Sequence, residues 1–171
     1  MKATLKQNIV ETFSQLNAIL SSFSEKEMNT IPFEGSWTAG QVADHLIMAM
    51  SGLPELCNGK TEKSLREPDE KIKNIKTMFQ DFSIKMESPE FINPSKKENN
   101  KNSILLSLQK IEQDMLHIAE TNDLTLTCLD FELPVFGKFT IYEWVSFALI
   151  HSQRHIQQLN TIFQKVAKLQ Y

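Results

Sequence analysis

The chain has 171 residues, enough for one domain around a single core. Hydrophobic residues make up 41% and charged residues 23%, a globular balance that excludes a disordered or fibrous chain. Its 18 basic and 21 acidic residues leave a net charge of −3, with a pI of about 5.8, so no basic excess points to DNA or RNA.

The nearest thing to a basic patch, Lys96-Lys97-Glu98-Asn99-Asn100-Lys101, is mixed in sign and reads as a solvated loop. No apolar run approaches the roughly 20 residues needed to span a bilayer. The N-terminal stretch Met1-Lys2-Ala3-Thr4-Leu5-Lys6-Gln7-Asn8 turns polar too soon for a signal peptide. Cys57 and Cys128 form no C-x-x-C pair and read as two reduced thiols of a cytoplasmic protein.

Residues 1 to 23 contain neither glycine nor proline, and Leu5, Ile9, Phe13, Leu16, Leu20 and Phe23 recur in steps of three and four, one helical stripe. Ser24-Glu25-Lys26-Glu27 matches a capping box and predicts a short turn before Pro32. After the loop Gly35-Ser36-Trp37, a second capping box, Thr38-Ala39-Gly40-Gln41, opens a helix whose inward face is Val42, His45/Leu46, Ala49, Leu53 and Leu56. That helix is expected to stop near Asn58-Gly59, and residues 60 to 68 to form a polar linker. Ile72, Ile75, Met78/Phe79 and Phe82 predict a shorter helix closed by Ser88-Pro89, followed by polar chain from Asn93 to Asn102.

Ile104, Leu105, Leu108, Ile111, Met115, Ile118 and Ala119 mark an amphipathic helix. The segment 125–139, with Pro134 and Gly137, reads as a loop or short extended connection. A third capping box, Thr140-Ile141-Tyr142-Glu143, opens the longest helix, which reaches towards Lys168. Four strong helices, one weaker one and no convincing strand pair predict an all-α chain, an antiparallel four-helix bundle occupying residues 1–171 as one domain.

Three of the four histidines fall on apolar helical stripes. His151 and His155, spaced i, i+4, place their Cβ atoms about 5–6 Å apart on one face. Two imidazoles so placed can meet one ion at nitrogen distances of roughly 2.0–2.1 Å without bending the helix. Alternatively, each is a hydrogen-bonded core residue, but two adjacent buried imidazoles would need partners for all their nitrogens. His45, on the inward stripe of its own helix, is the candidate third ligand. Three protein ligands leave a coordination position open, which is catalytic rather than structural in type. Ser152 follows His151 where the H-E-x-x-H metalloproteases carry glutamate, so a peptidase of that kind is disfavoured.

Gln41 and Glu143 each occupy the third helical position of a capping box, so capping is the favoured role for both. Trp37 is expected to plug a helix entry. Asp44, Arg154, Gln157 and Gln158 are candidates for outer-shell contacts to the histidines, with plain solvation as the alternative. His117 reads as a boundary residue. No serine nucleophile motif, phosphate-cradling glycine loop or paired-carboxylate signature occurs, and no general base stands out. A redox sensor built on Cys57 and Cys128 is disfavoured, since nothing basic flanks either cysteine in sequence.

The run Ser36-Trp37-Thr38-Ala39-Gly40-Gln41-Val42-Ala43-Asp44-His45-Leu46, with His151-Ser152-Gln153-Arg154-His155-Ile156-Gln157-Gln158-Leu159, resembles the DinB/YfiT-like superfamily. The resemblance extends over nearly the whole chain. It implies a four-helix bundle with nickel or zinc held by three histidines, which map onto His45, His151 and His155. It also implies a small-molecule substrate. Some relatives transfer bacillithiol or mycothiol, and one related group isomerises maleylpyruvate with a thiol. The family name carries no implication of polymerase activity. A homodimer is expected from the same resemblance, although no exposed stripe in the sequence calls for one. Transfer of a low-molecular-weight thiol to an electrophile is therefore the leading expectation, with hydrolysis of a small substrate at the same site beside it. A non-catalytic, metal-free helical binding or dimerisation module is the alternative.

Overall fold

The computed structural model describes residues 1–84 and 86–168 and is dominated by helix. Four helices form the bundle: α1 (Lys2–Ser22), α3 (Ala39–Ser51), α6 (Lys101–Thr121) and α7 (Ile141–Lys168). Three short ones join them: α2 (Glu25–Met28), α4 (Leu53–Cys57) and α5 (Ile72–Phe79).

Side-chain bonds at the helix ends give the directions. Lys2 Nζ donates to the Glu120 carbonyl, and Lys101 Nζ donates to the carbonyls of Ser21 and Phe23. The start of α1 therefore lies beside the end of α6, and the two run antiparallel. At its own start α3 meets the start of α6, where a Cβ on Gly40 would fall 2.7 Å from that of Asn99. Only glycine allows so close an approach. At the other end Asn122 Nδ2 donates to the Cys57 carbonyl at 3.1 Å. Helices α3 and α6 thus point the same way, which the long connection between them makes feasible. Helix α7 starts where α6 ends, with Tyr142 N–H bonded to the Leu124 carbonyl, and runs back against α3. The bundle consists of two antiparallel pairs, α1 with α6 and α3 with α7.

All three capping boxes form. Ser24 and Glu27, Thr38 and Gln41, and Thr140 and Glu143 each exchange reciprocal side-chain to backbone bonds. The apolar stripes then bury in one contiguous cluster that takes in Leu5, Ile9, Phe13, Leu16 and Leu20 of α1 and Leu108, Met115 and Ile118 of α6.

Three expectations need correction. The helix expected to take in Phe82 and close at Ser88-Pro89 ends at Phe79, and Phe82 lies beyond it, exposed. The helix opening at Thr38 does not run unbroken to Asn58: it ends at Ser51, and α4 starts afresh beyond Gly52 with Pro54 in its first turn. Proline there cannot donate the N–H that would have continued the first helix. A strand pair also exists. β1 (Thr61–Lys63) pairs antiparallel with β2 (Leu126–Cys128), in register Thr61↔Cys128 and Lys63↔Leu126. Each strand is three residues long, and one lies in the stretch read as a polar linker. So short a half-solvated strand leaves almost no alternation to detect.

Candidate metal centre

His45 sits in the middle of α3, and the i, i+4 pair His151 and His155 sits on the facing stripe of α7. Their ring nitrogens converge. His151 Nε2 lies 3.2 Å from His45 Nε2 and 3.0 Å from His155 Nε2. One ligand atom from each of the three lies within 4.8 Å of the others. The three residues are 3%, 9% and 9% exposed, so the cluster lies beneath the surface rather than in an open cleft.

The outer nitrogens explain which atoms face inward. His45 Nδ1 donates to the Ile92 carbonyl at 2.8 Å, and His155 Nδ1 donates to Gln158 Oε1 at 2.7 Å. Both partners are oxygen acceptors, so each ring keeps its proton on Nδ1 and turns a bare Nε2 lone pair inward. His151 Nε2, between them, can direct one N–H at one neighbour only. A buried lone pair is then left without a donor, an arrangement native interiors avoid.

Protonating a ring does not resolve this. Burial holds the His45 imidazole below its ordinary pKa and holds His151 well below it, the neighbouring imidazoles adding to the effect at His151. Burial, with His45 adding to it, pushes His155 down to about 4. All three rings are therefore neutral near pH 7, the form in which imidazole ligates a metal.

Spacing supplies the fit test. Two nitrogens each about 2.0–2.1 Å from one ion stand about 2.9 Å apart at a right angle and about 3.3–3.4 Å apart at the tetrahedral angle. The observed 3.0 and 3.2 Å fall between these limits. The histidine cluster is compatible with a metal site.

Much of what surrounds the cluster comes from chain outside the four bundle helices. Residues 79–84 and 86–95 lie over the histidines as a strap and include one 3-10 turn, Glu90–Ile92. Arg154 Nη1 donates to the carbonyls of Phe79 and Asp81, both at 2.9 Å, and Nη2 to that of Ile84 at 2.6 Å. Asp44 accepts from Ser95 N–H at 3.3 Å, and Gln41 Nε2 donates to the Ser95 carbonyl at 3.1 Å while the same side chain caps α3. Arg154, Asp44 and Gln41 thus fasten the strap whose Ile92 carbonyl orients His45. Of the two glutamines considered from sequence, Gln158 bonds a histidine and Gln157 lies exposed. Trp37 does more than plug a helix entry: its ring packs on His45 at a centroid distance of 5.2 Å.

Aromatic rings continue outward from His151. Phe147 stacks on it at 5.8 Å with planes 4° apart, Trp144 lies 6.0 Å from Phe147, and Phe131 lies 5.8 Å from Trp144. Phe91, beside Ile92 in the strap, closes the row 6.4 Å from Phe131 and is largely exposed.

Glu143 has a role beyond capping. Its carboxylate is fully buried and takes a bidentate pair from Arg66, at 2.7 and 2.6 Å, plus the Lys71 backbone N–H at 2.9 Å. Arg66 escapes sequence reading because it sits in the polar stretch 60–68, where an arginine looks like any solvated cation. Ion pairing this deep needs the tertiary contact.

Among the described residues, no helix is long and apolar enough to cross a membrane. No solved structure matches the chain. An uncharacterized protein of Bacillus subtilis (strain 168), YuaE, is 26% identical over 165 residues, spanning 93% of this chain and 94% of its own. The family described as the DinB superfamily matches residues 8–159, the span from the first helix through the histidine pair on the last. That match covers most of the chain, and the chain belongs to the DinB superfamily.

Proposed function

We propose that this protein is a metal-dependent enzyme that transfers a low-molecular-weight thiol to an electrophilic small molecule, with His45, His151 and His155 as the ligands of one divalent ion. The observation that carries this reading is the inward set of imidazole nitrogens at 3.0 and 3.2 Å, two of them held deprotonated by Ile92 and Gln158. Nickel or zinc suits such a neutral nitrogen set, and when bound there would act as a Lewis acid that lowers the pKa of a thiol.

The chain's own residues prepare the rest. Gln158 and the Ile92 carbonyl fix the tautomers of His155 and His45, so two of the three ligating lone pairs are present before any ion arrives. No side chain supplies a fourth ligand among the described His, Cys, Asp and Glu residues, which leaves a coordination position for a substrate atom. The row Phe147, Trp144, Phe131 and Phe91 offers an apolar electrophile aromatic contacts that run outward from His151. Water in place of the thiol would make the same site a hydrolase.

A second reading rests on the closure of the site. With each histidine at most 9% exposed, the cluster suits a non-catalytic helical module equally well. Metal analysis of protein purified without added metal separates the two. One transition-metal ion per chain, lost in His151→Ala, together with metal-dependent consumption of a thiol in the presence of a generic electrophile, supports the enzyme. Protein that is metal-free, with a stability indifferent to chelator and to His151→Ala, overturns it. Bound metal with no thiol-dependent rate but with hydrolysis of activated esters or amides moves the assignment to a hydrolase.

A further inference from the structure

The histidine cluster is closed. With each ligand residue at most 9% exposed, a small molecule reaches the inner nitrogens only if something over them moves. Helices α3 and α7 are poor candidates for that motion. Both bury apolar residues on either side of the histidines, among them Leu46, Met50, Leu159 and Ile162, and displacing either helix would expose them.

The strap is built differently. Between Ile75 and Ile104 no described residue is buried, and Phe82, Ile84 and Phe91 of the strap lie exposed. Polar bonds from the two ligand-bearing helices hold it instead. On the α7 side Arg154, between His151 and His155, donates to the carbonyls of Phe79, Asp81 and Ile84. On the α3 side Asp44 and Gln41 take the N–H and the carbonyl of Ser95, and His45 takes the Ile92 carbonyl. Hydrogen bonds near the surface exchange for bonds to water, whereas a buried apolar contact has no substitute there. A long connection without a core anchor is therefore the part of a domain that opens first.

We propose that the strap is the door of the histidine centre and Arg154 its latch, the strap lifting off the α3–α7 seam to admit small molecules while the bundle stays folded. The inference rests on the centre being the working site, as read above, and does not require a metal to be bound. Arg154 carries most of the hold. Its guanidinium makes charge-assisted bonds of 2.9, 2.9 and 2.6 Å, against 3.3 Å at Asp44 and 3.1 Å at Gln41. Lifting removes no buried member of the core, since none lies in the strap. It does withdraw the Ile92 carbonyl from His45 Nδ1, so the motion that admits a ligand also frees the ring that the closed strap orients.

Diethyl pyrocarbonate, which acylates accessible neutral imidazoles, tests this on full-length protein stripped of metal by chelator, with initial rates at each histidine read by tandem mass mapping. His117, part-exposed on α6 and outside the cluster, is the internal reference. In the wild type the three cluster histidines should react on the order of 100-fold more slowly than His117, at rates that stay flat in urea below the unfolding transition. Arg154→Ala should raise the cluster rates about 10-fold or more and leave His117 unchanged, with Arg154→Lys in between. By hydrogen exchange of the wild type, the amides of Ile92, Asn93 and Ser95 should open before those of α3 and α7 around the histidines.

Cluster rates equal to that of His117 would mean the site needs no door, and rates that track global unfolding would mean it has none. Strap amides as protected as those of α7 would equally overturn the door, and unchanged rates in Arg154→Ala would overturn the latch. The wild-type rates and exchange decide the door even where a variant fails to fold. A chain that binds no metal sinks the functional reading without touching any of these measurements, so the two failures are told apart.

Discussion

The seam between α1 and α6 and the seam between α3 and α7 are built from helices of the same kind and do different work. Along the first, Leu5, Ile9, Phe13, Leu16 and Leu20 face an α6 stripe that includes Leu108, Met115 and Ile118, and the buried surface is almost wholly apolar. Such a seam needs nothing but shape complementarity and loss of water. Along the second, His45, His151, His155 and Ser152 are buried side by side. Ser152 satisfies itself on the Ala148 carbonyl of its own helix at 2.8 Å. The histidines cannot do this: they need the strap, Gln158 and, on the reading proposed above, an ion. One seam holds the bundle together, and the other uses that rigidity to keep polar groups in a place they would not otherwise occupy.

If so, cutting into the first seam should cost stability and spare the centre. Phe13→Ala, at a fully buried position on α1, is expected to lower unfolding free energy by about 3–5 kcal/mol. The folded fraction should still bind metal, which urea denaturation and metal analysis of the same sample would check. A loss of metal from the folded fraction would mean the seams are coupled.

Arg66→Ala strikes the fastening of the linker to the start of α7. It strands the buried Glu143 carboxylate and should cost about 3 kcal/mol. The double variant with Glu143→Gln should recover part of that loss, whereas additive losses would assign no coupling to the pair.

Acid distinguishes the seams without mutation. In the metal-free protein folded His155 stays neutral down to about pH 4, while an unfolded histidine protonates near 6.5. Between those values the unfolded state binds more protons, so stability is complete above pH 6.5 and falls as the pH drops towards 4. The contribution of His155 is about 3 kcal/mol. Denaturant midpoints across this window should decline, and the decline should shrink in His155→Gln. An unchanged slope would place the titration elsewhere.

Removing the oxygen that orients His155 tests the second seam more gently. Gln158→Ala should weaken metal binding about 10–100-fold in a chelator competition, with the bundle intact. Smallest of all, Thr38→Ala removes one cap at the entry of the His45 helix and should cost about 1 kcal/mol with metal stoichiometry unchanged.

Much of this division can be read in the chain before it folds. The stripe positions on α1, α6 and α7, the three capping boxes and the i, i+4 histidine pair are local patterns, because helix geometry alone fixes which residues three and four apart share a face. His45 could be placed on an inward stripe by the same rule. Its meeting with the pair on α7 depends on α3 and α7 running antiparallel in contact, which no local pattern encodes. The resemblance to a known family supplied that step.

What only the tertiary structure decided lies in the polar connections. Arg66 against Glu143, the strap held by Arg154, Asp44 and Gln41, and the ribbon pairing Thr61–Lys63 with Leu126–Cys128 all join residues distant in sequence. Hydrophobic periodicity marks where a helix buries its face, since burial repeats with the helical turn. A single polar contact across the fold repeats nothing, and its partner is specified only once the bundle has closed.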